Sequence, residues 1–405
     1  MRMKKIIGLT YLHANQALAT VTDYWCDNFS RLGHETISLD LNAPDGGKRL
    51  QELLSGGDVE FCFGQQGVGS RLTIGDESVW THFRTPFLGM HADNPSCNIY
   101  NHFCDSPYVA NLYQFECLFD IQKRYVKNAQ FNDHIPYEID WMGANNLMPF
   151  ARRPLRIVFM KSGKSPAPYA DNLNQVKPPL REALWAAVEK AWRDENLVIC
   201  DLLAEAFKAC GLDRAQYWNE FWGFADWIDN YIRCKRAADL VEWLKFQPGA
   251  VIVGDGWDFI DKTGAKAIFK PSVPALEART LYEQAQYLCN TSPYGSNIIH
   301  ERIYLGLGTL CYVLTDTNAW WDRHFAAIPS LCRFRWGEDW RARLEAALND
   351  PQAGEKADSI AGLTRMIDKL NGTAQIPKIV ATAGRVRDFA EQKLTLDQKQ
   401  QVRGS

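Results

Sequence analysis

The segment NTSPYGSNIIHERIYLGLGTLCYVLTDTN, residues 290–318, decides how the rest of the chain is read. Gly295 and Ser296 allow a tight turn, and Ser296 or Asn297 can cap a helix whose first free N–H groups point at an anion. Glu301 follows one turn later with a carboxylate that can accept two hydroxyls, and His300 is placed to add a donor. Gly306 and Gly308 are expected to stop the helix. The apolar run 310–315 then reads as a buried strand ending at the polar edge Asp316, Thr317 and Asn318. An anion site beside a diol acceptor fits a sugar nucleotide.

Working outward, an apolar strand at 251–253 runs into Gly254, Asp255, Gly256 and Trp257, a glycine turn at the carboxyl edge of the same sheet. The spacing of this VIVGDGW block from the HER triplet (His300, Glu301, Arg302), set before GLG and a strand ending in TD, resembles the CgeB-like, group 1 glycosyltransferases. That resemblance implies an α/β, GT-B fold with two Rossmann-like doubly wound domains facing a central cleft. It implies a nucleoside-diphosphate sugar as donor, with UDP-sugars favoured as the commonest donors of such families. It further assigns Glu301 to the ribose hydroxyls and the Gly254–Trp257 turn to a wall near the base. The likeness is clear in the C-terminal half and loose in the N-terminal half.

The N-terminal half alternates strand and helix: strands at 6–12, 36–40 and 59–63, helices at 16–31 and 48–54, and further apolar runs at 86–90 and near 115–119. This pattern predicts a parallel sheet. Residues 131–148 show no clear period, and 149–154, with Arg152 and Arg153, read as a connection. The expected domains are therefore 1–150 on the acceptor side, 151–385 for the nucleotide sugar, and a helix or tail over 386–405. Long helical patterns cover 179–210 and 214–244, the second carrying Trp218, Phe221, Trp222, Phe224 and Trp227, which read as core packing because basic residues are not interleaved as in a base-stacking platform.

Catalytic candidates come from the loops after predicted strands. In GMHADNP, Asp93 is the candidate general base and His91 the second; the DxP pattern loosely resembles a family motif, although Asp-Asn-Pro is also an ordinary turn sequence. His13 and Asp105 are further candidates. Lys161 and Lys164, in KSGK after the strand 155–160, can bring positive charge to a diphosphate, and Lys161 is taken as the binding residue. Arg302 reads as either a site cation or an ion-pair partner. With no DxD pair and no Cys/His cluster of metal spacing, no metal and no cofactor beyond the donor are expected.

Composition narrows the class. At 405 residues with 14 Trp, 15 Tyr and 20 Phe, the chain can fill two cores, and a net charge of −3 gives no broad basic surface for nucleic acid or anionic membrane. Eleven scattered cysteines without a CxxC pair suit reduced thiols, hence a cytoplasmic enzyme. The start imitates a signal peptide only over 6–12, where a sheet strand is the better reading, and no apolar run approaches a membrane span. A sugar-nucleotide epimerase on the same architecture, or a silent nucleotide-sugar-binding or coat-associated protein, remain the alternatives.

Overall fold

Short β-branched and aromatic runs separated by helices build two parallel sheets in the computed structural model, which describes residues 4–11, 16–128, 130–136, 148–292, 298, 300–326, 328–359 and 372–404. The chain forms two compact units, one from Met1–Asp140 with Leu370–Ser405 and one from Trp141–Lys369.

The first unit contains β1 (Lys5–Thr10), β2 (Glu35–Asp40), β3 (Val59–Gln65), the small hairpin β4 (Thr73–Ile74) and β5 (Glu77–Ser78), then β6 (Phe87–His91), β7 (Val109–Tyr113) and β8 (Phe131–His134). Its six-stranded sheet has the order β2-β1-β3-β6-β7-β8, every pair parallel. Successive residues point to opposite faces, so each strand must be apolar on both sides where helices cover both. Ile6, Phe61, Phe63, Leu88 and Met90 accordingly share one core with Trp25 and Phe29, while Ile7, Leu9, Cys62 and Phe87 share another with Leu50, Leu54 and Trp80.

The second unit contains β9 (Leu155–Met160), β10 (Ala250–Val253), β11 (Ile268–Lys270), β12 (Ala285–Asn290), β13 (Tyr312–Asp316) and β14 (Leu331–Phe334). Their order is β11-β10-β9-β12-β13-β14, again all parallel. In chain rank this is 3-2-1-4-5-6, the doubly wound order whose direction of winding reverses between the first and fourth strands. The reversal falls between β9 and β12. Between β9 and β10 the chain inserts four helices, Ala167–Gln175, Leu180–Arg193, Ile199–Ala209 and Trp218–Leu244. The last buries Phe221, Trp222 and Phe224, as the core reading expects, but leaves Trp218 and Trp227 only half-buried.

Several elements differ from the sequence reading. The run near 115–119 is not a strand: β7 ends at Tyr113, and Glu116–Ile121 is helical. The pattern over 179–210 is two helices, because Asp194 accepts the Asn196 amide at 2.9 Å and turns the chain. The expected linker is structural: Phe150 packs edge-on against Tyr287 with centroids 5.3 Å apart, and Arg153, 4 % exposed, donates to the Ala285 carbonyl at 2.8 Å. Residues 372–404 form a helix assigned to the first unit. Its Ile376, Ile379, Ala383 and Val386 are fully buried in that sheet's core, so the boundary falls before the helix and not at 386.

Candidate functional site

At the carboxyl edge of the second sheet, the loops after β9 and β10 lie back to back. Gly254, at φ +143°, takes a conformation that side chains oppose, and a Cβ there would sit 2.2 Å from the Lys161 carbonyl oxygen. Trp257 is 3 % exposed and donates its indole N–H to that same carbonyl at 2.9 Å, while the Gly163 amide donates to the Asp255 carbonyl at 2.7 Å. Asp255 and Ser272 clamp each other, the Ser272 amide donating to Asp255 Oδ1 at 3.2 Å and the Asp255 amide to Ser272 Oγ at 3.1 Å. The GDGW turn thus shapes the Lys161 loop from beneath: Trp257 is a packing residue rather than an open aromatic wall. Gly254→Ala should cost about 1–3 kcal/mol in a denaturant titration, because backbone meets backbone and no side chain can yield.

Lys161 leaves this loop to bridge the point of reversal, its ammonium donating to Thr291 Oγ1 at 3.1 Å. Loss of hydration, together with repulsion from Arg302 and Arg233, lowers its pKa to about 7 against the pull of Asp316. Arg233 comes from the long helix Trp218–Leu244, where Asp229 holds it at 3.4 Å. Lys164 is exposed, and its ammonium lies over the Tyr169 ring, 4.9 Å from the centroid.

On the β12 side, Asn290 ties strand to helix: its amide nitrogen donates to Thr315 Oγ1 at 3.0 Å, and its oxygen accepts from the Arg302 guanidinium at 3.0 Å. The helix spans Glu301–Gly308 with His300 as N-cap, so it begins later than the expected cap at Ser296 or Asn297. Gly295, Ser296 and Asn297 lie outside the described residues. Gly306 does not stop the helix but sits within it, fully packed on the sheet. A Cβ at Gly306 would meet Leu288 at 2.4 Å and Val313 at 2.9 Å, so glycine permits close helix–strand packing here.

The HER triplet is a linked set. The Arg302 guanidinium meets His300 Nε2, while His300 Nδ1 lies 2.8 Å from Glu301 Oε2 and 3.2 Å from the Arg302 backbone N–H that it caps. Burial and the Arg302 charge lower the His300 pKa to about 4, so the ring is neutral near pH 7. Burial pushes Glu301 upward, but His300 and Arg302 outweigh it and bring its pKa to about 2. The Glu301 side chain stays 44 % exposed as an ionised acceptor. Arg302, left open between two roles by the sequence, therefore serves as the hub that joins Asn290, His300 and the cations around Lys161.

In the first unit, Asp93 follows β6 and accepts from Gln66 Nε2 at 2.9 Å. Gln66 itself takes φ +53°, a strained left-handed conformation for a side-chain-bearing residue, at the carboxyl end of β3. His91 is fully buried: Nε2 meets Asn111 Oδ1 at 2.9 Å, the ring stacks on His102 at 4.0 Å, and burial lowers its pKa to about 4. That enclosure leaves Asp93 as the accessible member of the pair. Asp105 is exposed, and His13 lies outside the described residues.

Among the described residues, no group of three or more His, Cys, Asp or Glu side chains is placed to hold a metal ion. None of the described helices is long and apolar enough to cross a membrane. All eleven cysteines are free and none is exposed.

No family model and no curated protein matches the sequence. Solved structures do match. A glycosyltransferase from Rickettsia africae is 10 % identical with a TM-score of 0.50, the alignment covering 95 % of this chain and 99 % of that one. AviGT4, a glycosyltransferase involved in avilamycin A biosynthesis, is 12 % identical over 95 % and 98 % of the two chains, TM-score 0.48. Anabaena Alr3699/HepE in complex with UDP and glucose is 9 % identical over 94 % and 99 %, TM-score 0.48. The chain has the GT-B glycosyltransferase fold: two parallel-sheet α/β domains, each with its covering helices.

Proposed function

We propose that the protein is a glycosyltransferase that moves a sugar from a nucleoside-diphosphate sugar to an acceptor hydroxyl. The observation that carries this reading is the pairing of two cations, Lys161 and Arg302, with the ionised, half-exposed Glu301 at the point where the second sheet reverses its winding. Open α/β sheets bind ligands at such a point. Cations there balance a diphosphate, and a carboxylate one residue before Arg302 accepts the ribose hydroxyls.

In the reaction, the bond between the anomeric carbon and the diphosphate oxygen breaks while the acceptor oxygen bonds to that carbon. The negative charge that grows on the leaving diphosphate falls to Lys161 and Arg302, which takes the place of a divalent ion in this scheme. The acceptor proton passes to Asp93 of the first unit. UDP-sugars are the first donors to test, and the CgeB-like resemblance of the HER and GDGW segments supports this family of reactions.

Glu301→Ala is the test of the binding assignment. Removing a charged acceptor from two hydroxyls should weaken nucleotide binding about tenfold in calorimetry. Unchanged affinity for every nucleotide that the unaltered protein binds would remove Glu301 from the site.

A further inference from the structure

At the carboxyl edge of the first sheet, Gln66 directly follows β3 and is 9 % exposed, and its φ of +53° costs free energy in a residue that carries a side chain. Its hydrogen bonds hold it there. The backbone N–H donates to the Met90 carbonyl at 2.7 Å, the carbonyl accepts the Asn101 side-chain amide at 2.8 Å, and the Gln66 side-chain amide donates to Asp93 Oδ2 at 2.9 Å. Gly67, at φ +71°, lets the loop come this close: a Cβ there would sit 2.9 Å from Asn101 Cβ and 3.1 Å from His91 Cε1. Asp93 and Asn101 are also joined along the chain by the helical segment Pro95–His102, which Asn94 caps by accepting the Ser96 amide at 3.1 Å. The three residues thus close a ring, from Asp93 to Gln66 to Asn101 and back through that segment.

Glycine would take this conformation without strain, so what the chain gains from glutamine at position 66 is the side chain. That side chain ends on Asp93. We infer that Gln66 is a positioning residue: Met90 and Asn101 hold its strained backbone, and its side-chain amide fixes the plane of the carboxylate that takes the acceptor proton. The inference rests on the proposed function, in which Asp93 is the base. Gln66 itself need not touch donor or acceptor. A base works only with its oxygen in hydrogen-bond reach of the proton it removes, so a bond that fixes the carboxylate acts on the rate and leaves donor binding alone.

Nucleotide release by the full chain from UDP-, GDP-, dTDP- and CMP-sugars, with water as the acceptor, is measured beside calorimetric nucleotide affinity and urea unfolding. Gln66→Ala removes the side chain and keeps the backbone strain, whereas Gln66→Gly removes both. The pair separates what the side chain does for turnover from what the backbone costs in stability. Asp93→Asn, alone and combined with Gln66→Gly, shows whether Gln66 acts through Asp93.

Both Gln66 variants should lower turnover about tenfold or more at unchanged nucleotide affinity, although Gln66→Gly unfolds at a higher urea midpoint than Gln66→Ala. Adding Gln66→Gly to Asp93→Asn should change turnover by less than about threefold, since the group that Gln66 positions is already lost. A purely structural role would make turnover follow stability, with Gln66→Gly close to the unaltered protein, or would give losses that multiply in the double variant; either result overturns the inference. A Gln66→Gly midpoint below that of Gln66→Ala overturns it too. If Gln66→Ala fails to fold, Gln66→Gly and the double variant carry the test with the same outcomes. Turnover lost in Asp93→Asn but kept in Gln66→Gly overturns this inference alone. Turnover kept in Asp93→Asn overturns the base assignment as well, and no release from any donor by the unaltered protein overturns the proposed function and this inference with it.

Discussion

Raising the pH from 7 to 9 should weaken nucleotide-sugar binding by roughly 50-fold, because the unliganded protein must recharge Lys161 before it can bind a diphosphate. The Lys161 pKa of about 7 arises from lost hydration and from repulsion by Arg302 and Arg233, with Asp316 acting against them. A bound diphosphate favours the ammonium and raises that pKa. Below pH 7 the ammonium is already present in the free protein, so affinity is flat there. Above pH 7 each binding event takes up a proton, and affinity falls toward tenfold per unit until the pKa of the complex is reached. A nucleotide sugar is the right titrant, since its diphosphate does not ionise in this range. Lys161→Met should bind weakly at all pH values and show no slope. A flat profile in the unaltered protein, or a slope that survives Lys161→Met, would exclude Lys161 from the diphosphate site.

Asp93→Asn should lower turnover by about 10²-fold or more while leaving nucleotide affinity unchanged, as expected when a general base is removed from acceptor activation. Asparagine keeps the shape and one acceptor oxygen, so the bond from Gln66, 2.9 Å in the structure, can persist. The substitution therefore removes the base and spares the loop. The neighbouring His91 offers no substitute, being fully buried, stacked on His102 and made a weak base by the burial that lowers its pKa to about 4. Steady-state rates with calorimetric affinities separate the cases. Turnover near the unaltered level would reassign the proton to another group or to a mechanism that uses no base.

The fold was legible where local pattern and topology agree. Alternating strands and helices announced the parallel sheets, and strands such as 36–40 and 331–334 fall where the apolar runs put them. β12 escaped because its six residues, AQYLCN, follow the helix Ala275–Glu283 after a single residue, leaving no turn between them to read. Its absence hid the reversal point, which needs β12 beside β9. The HER and GDGW motifs were legible as sequence, but their division of labour was not: nothing in GDGW distinguishes a Trp facing a ligand from one that donates to the Lys161 carbonyl beneath the loop. Arg233 could not be found at all, since it reaches the site by tertiary folding of the insertion and carries no local pattern.

The proposed glycosyltransferase must use a nucleoside-diphosphate sugar as its donor. The most direct measurement incubates the purified protein with UDP-, GDP-, dTDP- and CMP-sugars and follows release of nucleotide, with analysis of the sugar product. Release of a nucleoside diphosphate from at least one donor, UDP-sugars first, is the expected result, with loss of that release in Arg302→Met. Binding without release would make the protein a silent nucleotide-sugar binder, recovery of an epimerised donor would make it an epimerase, and neither binding nor release from any donor would contradict the account.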